Sequence, residues 1–204
     1  MYILFFIFAL GVVVALPLYF LSVEHVKLQE RYGKQKGTKI GERFGRISAD
    51  LLFFSLIGIW FSPQPGFIVP VFQNLFVRVP VINFPIPLFH LIIFVSFVLP
   101  GVWFLIQSVK GLSRKVSETH RAEKVVSTGI YATVRHPHTG WFLVHLGFCF
   151  LLSGWYALLS TPFIFILLYL ISRKEEEAEL TKDFGEEYEK YKKKVPMFVP
   201  RLGK

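Results

Sequence analysis

Residues 135–177 read RHPHTGWFLVHLGFCFLLSGWYALLSTPFIFILLYLISRKEEE, and this stretch decides the fold of the chain. It contains two apolar runs, Trp141 to Ser153 and Trp155 to Ile171, separated by the single residue Gly154. This pattern predicts a tight helical hairpin. Each run is shorter than the roughly 20 residues of an untilted membrane span.

The rest of the chain has the composition of a membrane protein. Its 204 residues are 53% hydrophobic and 17% aromatic, and the apolar residues form long blocks between charged segments. An ordinary soluble domain is therefore excluded. Orientation in a bilayer explains the net charge of +9 better than nucleic acid does, because the aromatic residues lie mostly in the apolar blocks. The single cysteine, Cys149, excludes an intramolecular disulfide and a thiolate metal cluster.

Three further apolar blocks precede the hairpin. The first, Met1 to Val23, has no basic residue before it and no cleavage pattern behind it, so we expect a retained span rather than a signal peptide. The second runs from Asp50 to about Phe61, and the Pro/Gly-interrupted stretch 63–87 either prolongs it as a kinked helix or forms an interfacial loop. The third runs from about Ile86 to Val109. The predicted fold class is an all-α, polytopic integral membrane protein with about five transmembrane helices.

The charged residues indicate the orientation of these spans. If the chain has five spans, its polar segments alternate between the two membrane faces. Of the 23 basic residues, all but Arg78 then lie on one face, and all 14 acidic residues lie on that same face. The positive-inside rule makes that face cytoplasmic, with the N-terminus outside and the tail inside. The tail after Arg173 is expected to begin as an amphipathic helix, because Phe184, Tyr188 and Tyr191 recur at helical spacing, followed by Val195.

Any polar chemistry must therefore lie at the cytoplasmic ends of the helices. The polar stretches hold about 24, 29 and 32 residues, too few for a nucleotide-binding α/β domain, and the sequence has no Gly-rich phosphate loop. Segments 123–138 and 173–177 flank the predicted hairpin. Because an antiparallel hairpin places the residue entering its first helix beside the residue leaving its second, we expect His136 to lie near Glu176.

The motifs in this half of the chain resemble the isoprenylcysteine carboxyl methyltransferase family over roughly residues 110–200. The resemblance rests on these elements in order: Gly129-Ile130-Tyr131, Arg135-His136-Pro137, the hairpin, Glu176-Glu177, Phe184-Gly185-Glu186-Glu187-Tyr188 and Tyr191 to Pro196. The Arg-His-Pro element alone is shared with phospholipid N-methyltransferases and membrane sterol reductases. Where the family usually has Arg-His-Pro-x-Tyr-x-Gly, this chain is one residue shorter and lacks the tyrosine.

The resemblance implies an enzyme that transfers a methyl group from S-adenosylmethionine to the carboxylate of a prenylcysteine-like substrate at the cytosolic membrane face. The apolar blocks assign three N-terminal spans to residues 1–109, and the resemblance makes residues 110–204 the catalytic region. The implied cofactor-binding residues are Lys124, Val125, Val126, Gly129, Ile130, Tyr131, His136 and Pro137. The implied catalytic residues are Arg173, Glu176 and Glu177, and no metal is expected.

Chemical reasoning from the residues agrees with this assignment. A sulfonium cofactor carries an ammonium, a carboxylate and a flat adenine, so its site needs acceptors, a cationic or imidazole donor and an apolar slot. Glu176 or Glu177 could accept from the ammonium or ribose, His136 could donate to the carboxylate, and Arg173 could hold the substrate carboxylate. A carboxylate nucleophile is already ionised at pH 7 and needs no general base, whereas an amine or thiol would need one.

Three other functions remain open at this point: a phospholipid or other lipophilic amine N-methyltransferase, an NADPH-dependent sterol-type membrane reductase and a non-enzymatic membrane scaffold. The lipid tail of a substrate would enter sideways from the bilayer.

Arg135 is interpreted as an interfacial anchor, and His138 as structural. His90 and His145 have no evident partner, and His145 is a weak candidate for the substrate path. The membrane would be the plasma membrane of a prokaryote or the endoplasmic reticulum of a eukaryote.

Overall fold

The fold was analysed in a computed structural model, which describes residues 2–79, 84–111, 125–173 and 177–201. These residues are mostly helical, as predicted. The helices are α1 (Ile3–Val23), α2 (His25–Tyr32), α3 (Lys34–Phe61), α4 (Leu88–Gly111), α5 (Gly140–Leu151), α6 (Trp155–Ile171) and α7 (Glu177–Lys194). Two short 3₁₀ turns, Gly129–Ala132 and Pro137–Thr139, precede α5.

Three helices in the described residues are long and apolar enough to cross a membrane: α1, α3 and α4. The hairpin predicted from the sequence is confirmed, with α5 of 12 residues and α6 of 17 residues joined by a short turn. Both hairpin helices are shorter than a full span. The five-span arrangement therefore stays a prediction, and three spans are supported by length and composition.

The polar segment after α1, residues 24–47, is mostly helical rather than a loop. Helix α3 begins at Lys34, well before the predicted start at Asp50, and α2 precedes it. The glycines of its first half recur every four residues, at Gly37, Gly41 and Gly45, and all three are buried. A helical period of small residues lets α3 pack closely on its neighbours while its charged residues face outward. The many charged residues of this segment made the glycine repeat easy to miss in the sequence.

In this stretch the described residues, 62–79 and 84–87, form a loop and a short β-hairpin rather than a kinked helix. Strand β1 (Phe76–Val79) pairs antiparallel with β2 (Phe84–Pro87), which leads directly into α4. The prolines of this segment explain the outcome, because proline lacks the N–H that a helix interior requires. The predicted all-α class therefore gains one small β element, and the loop alternative for this stretch is the observed one.

The polar tail contains the helix α7. Helix α7 buries Tyr188, Tyr191 and the following Val195 on one face, where Leu180 and Phe184 also pack. The helix bends at Gly185, whose φ of 52° lies in the left-handed region. The predicted amphipathic period therefore describes a helix that is packed against the rest of the protein.

Helices α4 and α5 approach each other closely enough to bring their backbones into contact. A Cβ atom at Gly140 would lie 2.5 Å from the carbonyl oxygen of Gly101, and one at Gly101 would lie 2.8 Å from the carbonyl oxygen of Gly140. Small residues at such crossings are typical of helix packing in membranes. This contact places the residues just before α5 against the last turns of α4.

We predict that Gly140→Ala lowers the stability of the protein, because backbone atoms of α4 cannot move aside as a flexible side chain could. The expected loss is about 1–3 kcal/mol in the free energy of unfolding, the usual cost of overpacking. Gly66→Ala is the matched control, since its Cβ would lie at an ordinary 3.7 Å from the Ser153 carbonyl oxygen. Unfolding midpoints in detergent measure both. Equal midpoints for the two variants would contradict the backbone contact.

Candidate functional site

The Arg135-His136-Pro137 segment lies between the two 3₁₀ turns, at the start of the hairpin. Pro137 opens the second turn, where its missing N–H has no cost, and it is fully buried. His136 has an extended φ of −122°, as expected for a residue that precedes proline. The His136 side chain is buried as well. The segment is therefore part of the protein interior.

Arg135 and Glu177 form a buried ion pair. The Nη2 atom of Arg135 lies 2.7 Å from Oε1 of Glu177, and Nε donates to the same oxygen at 2.8 Å. The side chains are only 10% and 7% exposed. Arg135 was interpreted from the sequence as an interfacial anchor, and that interpretation was wrong. The signal that could have found it is its place in the same motif as His136.

His136 completes this cluster. Its Nε2 atom lies 3.2 Å from Oε1 of Glu177, so arginine and imidazole converge on one carboxylate oxygen. The sequence placed His136 beside Glu176, and the structure shows His136 in contact with the following residue, Glu177. Glu176 lies outside the described residues, as does Lys124. We refer to Arg135, His136 and Glu177 as the buried cluster.

The buried cluster also binds the far end of the tail. Nη1 of Arg135 donates to the carbonyl oxygen of Lys192 at 2.9 Å and to that of Val195. The backbone N–H groups of Arg135 and His136 donate to the carbonyl oxygens of Pro196 and Met197, at 2.9 and 3.0 Å. An arginine that satisfies the last carbonyls of a helix stabilises its C-terminus. One guanidinium therefore connects both ends of α7 to the motif.

Burial raises the pKa of Glu177, but hydrogen bonds from His136 and Arg135 and the positive charge of Arg135 outweigh that effect. The pKa of this carboxyl group is consequently held below its ordinary value of 4.5. Glu177 is therefore ionised at neutral pH in spite of its burial. Burial also raises the pKa of the Tyr191 hydroxyl, so that tyrosine stays a neutral hydrogen-bond donor.

The predicted cofactor strip lies beside the buried cluster. Ile130 and Tyr131 are buried in the first 3₁₀ turn and form an apolar group with Val126, Val134 and Phe104. The Tyr131 hydroxyl lies 3.0 Å from the Ser108 hydroxyl, and its backbone carbonyl accepts from the Tyr191 hydroxyl at 2.7 Å. Val125 packs on the tail instead. Gly129 is exposed, with a φ of +60° that favours glycine.

Arg173 lies apart from the contacts that hold the buried cluster. It is exposed and donates from Nη1 to the Tyr169 hydroxyl at 2.6 Å. The adjacent Ser172 hydroxyl is buried and has no hydrogen-bond partner in the part of the chain that the structure describes. Phe198 links this end of α6 to the cluster, since its ring lies 6.1 Å from that of Tyr169 and 5.9 Å from that of His136.

His145, in α5, has a structural partner. Nε1 of Trp60 donates to Nδ1 of His145 at 2.9 Å, which leaves the ring proton on Nε2, 3.6 Å from the sulfur of Cys149. The histidine therefore joins α3 to α5. These bonds do not support a role for His145 along a substrate path.

Residues 89–182 match the model of the isoprenylcysteine carboxyl methyltransferase (ICMT) family. The protein-S-isoprenylcysteine O-methyltransferase of Schizosaccharomyces pombe is 37% identical over 100 residues, which cover 48% of this chain and 42% of that protein. The human protein of the same name is 36% identical over 85 residues, covering 41% of this chain and 29% of the human one.

A methanethiol S-methyltransferase of Crocosphaera subtropica is 35% identical over 82 residues, which cover 40% of this chain and 31% of that protein. This chain therefore matches less than half of the length of each of these curated relatives. No solved structure matches the chain significantly. The buried cluster lies entirely inside the region that matches the family.

We predict that Arg135→Ala destabilises the protein by about 3–5 kcal/mol, because it leaves the buried Glu177 carboxylate without its charged partner. Arg135→Lys should lose less, since it keeps the charge but cannot donate to Glu177 and to the tail carbonyls together. Arg173→Ala is the matched control and should change stability by less than about 0.5 kcal/mol, because that arginine is exposed. Chemical unfolding of the three variants measures the order, and equal losses at the two positions would contradict the buried pair.

Proposed function

Because residues 89–182 match the ICMT family, we propose that this protein is a membrane methyltransferase that uses S-adenosylmethionine. The proposed acceptor is the carboxylate of a lipophilic, prenylcysteine-like substrate at the cytosolic membrane face. The observation that carries the proposal is the buried cluster. Within the matched region it holds an ionised carboxylate, an imidazole and a guanidinium in contact, and the family resemblance assigns two of these residues, His136 and Glu177, to the site.

The residues near the cluster have the chemistry that S-adenosylmethionine requires. In the described part of the chain, the hydrogen bonds to Glu177 all end on Oε1, so Oε2 is left to accept from the cofactor's ammonium or ribose. At the end of α6, the buried hydroxyl of Ser172 has no hydrogen-bond partner among the described residues, and it is a second polar group that a bound molecule could satisfy. Such orphaned groups cost free energy unless a ligand pairs with them.

An apolar wall for the adenine is also present. Val126, Ile130 and Tyr131 pack together beside the buried cluster, and the Tyr131 ring is held by its hydroxyl contact with Ser108. Lys124 and Glu176, which the resemblance also assigns to the site, remain proposals from the sequence. S-adenosylmethionine, when bound, supplies the electrophilic methyl group.

The protein's own task in carboxyl methylation is positioning. An ionised acceptor needs no general base, so the residues have to align the acceptor oxygen with the methyl carbon and exclude water. Burial of His136 and Pro137 keeps water away from this side of the site. Arg173, at the exposed end of α6, is proposed to bind the acceptor carboxylate, with Tyr169 orienting its guanidinium.

A thiol or amine acceptor is the second candidate. The relative named a methanethiol S-methyltransferase favours a protic acceptor, and such an acceptor must lose a proton during the reaction. The Glu177–His136 contact is a pair that could take it. The relatives named above are all methyltransferases, which favours methyl transfer over a sterol-type reduction.

The proposed orientation follows from charge. Arg78 is the one basic residue predicted on the opposite side of the membrane from the buried cluster, so the positive-inside rule places the cluster in the cytosol and the N-terminus outside. The cofactor would then enter from the cytosol and the lipophilic substrate from the bilayer.

The test of the proposed function is transfer of a labelled methyl group from S-adenosylmethionine to a soluble farnesylcysteine analogue by the full chain in lipid. We expect label in a product that mild alkali releases, because methyl esters hydrolyse under conditions that leave N-methyl and S-methyl groups intact. Alkali-stable label would show that the acceptor is an amine or a thiol and not a carboxylate. No transfer and no cofactor binding by calorimetry, with NADPH bound instead, would refute methyl transfer.

Glu177→Gln tests the assignment of the site. The variant keeps the shape of the side chain but removes the charge, so we expect cofactor affinity to fall at least about tenfold, the loss expected when a charged hydrogen bond is removed. Glu187→Gln, an exposed change on the same helix, is the control and should bind as the wild type does. Unchanged binding by a folded Glu177→Gln protein would remove Glu177 from the site.

A further inference from the structure

The end of α3 and the start of α4 contact the hairpin at different positions along its length. Trp60, in the last turn of α3, bonds to His145 in the middle of α5. His90, in the first turn of α4, instead contacts the carbonyl oxygen of Phe150 and the hydroxyl of Ser153 at the tip of the hairpin, at 2.9 and 3.0 Å. Five residues of helix separate His145 from Phe150, a rise of about 7.5 Å. The chain after α3 has to cover this distance without a helix.

Residues 62–69 span this distance of about 7.5 Å. They form hydrogen bonds with the hairpin. Gln64 accepts from the backbone N–H of Ala157 at 2.8 Å and donates to the carbonyl oxygen of Ile59 at 2.9 Å. The backbone pairs Trp155 N to Pro65 O and Phe67 N to Ser153 O both measure 2.9 Å. Irregular backbone is tolerated at membrane depth where protein satisfies it in this way.

His90 adds further hydrogen bonds between this loop and the hairpin. The backbone N–H of Val69 donates to its Nε2 atom at 3.0 Å, so the ring proton of the neutral imidazole lies on Nδ1. That N–H points to the Phe150 carbonyl and the Ser153 hydroxyl, and the side chain is completely buried. His90 therefore ties the loop to both α4 and the hairpin tip.

The position of the far membrane boundary follows from α4. The helix carries no acidic or basic residue, histidine aside, between Leu88 and Lys110, a length of about 33 Å. The hydrocarbon core of a bilayer is about 30 Å thick. With Lys110 at the boundary near the buried cluster, Leu88 lies at the opposite boundary and His90 just inside it. The loop held by His90 therefore lies at the depth of the far leaflet.

The outward side of this loop is mostly apolar, with Gln73 and Asn74 as exposed polar residues between Phe72 and Leu75. Ile68, Phe72, Leu75 and Phe76 are 54%, 60%, 51% and 47% exposed, and Arg78 is the only charged residue between positions 62 and 87. Leu75 accepts from the backbone N–H of Leu88 at 2.8 Å, which joins this surface to the start of α4. The surface is thus continuous with the exposed apolar side of α4, where Leu99 lies.

We propose that these four residues, the far-side apolar face, are immersed in the leaflet opposite the buried cluster. The occupant is lipid: Ile68 contacts acyl chains, and Phe72, Leu75 and Phe76 lie at the boundary between acyl chains and headgroups. Apolar patches of this kind at a membrane boundary are stabilised by burial in that region. The loop and β-hairpin then anchor the protein in the far leaflet, independently of what the buried cluster catalyses.

Site-directed spin labelling of the full chain in lipid vesicles tests this placement. Nitroxides are attached to Ile68→Cys and Phe76→Cys, with Leu99→Cys in the middle of α4 as the hydrocarbon reference. Glu186→Cys, exposed on the tail helix, is the aqueous reference. Cys149 is buried, and the parent protein measures its background. Collision rates with oxygen, which concentrates in hydrocarbon, are compared with those of a water-soluble nickel chelate.

We expect oxygen to relax the label at Ile68 several-fold more than the nickel chelate does, as at Leu99, with a smaller excess at Phe76. Because each substituted side chain is at least about half exposed, the variants should keep the fold, which the hairpin contacts maintain. Elution as the parent protein does in gel filtration checks this for each variant. Nickel accessibility at Ile68 and Phe76 equal to that at Glu186 would overturn the proposal and place the face in water.

Discussion

The buried ion pair between Arg135 and Glu177 is the interaction on which the site depends. A carboxylate inside a protein is costly unless a cation and hydrogen bonds compensate for lost water, and here a guanidinium and an imidazole both contact one oxygen. The same guanidinium binds the carbonyls at the end of the tail helix. Removing it would affect the motif, the carboxylate and the tail together. The site is therefore a product of three chain segments that stabilise one another.

The membrane part of the molecule supports this arrangement through close helix packing. The contact of Gly101 with Gly140 sets the start of α5 against α4, which in turn brings Tyr131 to Ser108. At the other end of the hairpin, His90 and Gln64 bind the loop that follows α3. Both hairpin ends are thus fixed by polar contacts within the protein, as membrane burial requires. His90 and His145 hold helices and loops in place.

Part of the site was predictable because a hairpin has simple geometry. Two apolar runs separated by one glycine imply antiparallel helices, and this geometry predicted His136 near Glu176. The contact in the structure is with the next residue, Glu177. The role of Arg135 was missed because a single arginine near an apolar run has the pattern of a membrane anchor. Its partners, Glu177 and the Lys192 carbonyl, lie 42 and 57 residues away in sequence. Long-range pairing of that kind leaves no local pattern.

The apolar blocks and their charged borders were enough to predict a helical membrane protein, the hairpin and a helical tail. These features follow from local periodicity and residue type, which the linear chain carries. Three-dimensional packing was needed to show that α3 begins at Lys34, that residues 62–79 and 84–87 form a loop and β-hairpin, and that Arg135 connects Glu177 to the tail. Each of these depends on contacts between segments distant in sequence, and their energies come from groups that meet only when the chain is folded.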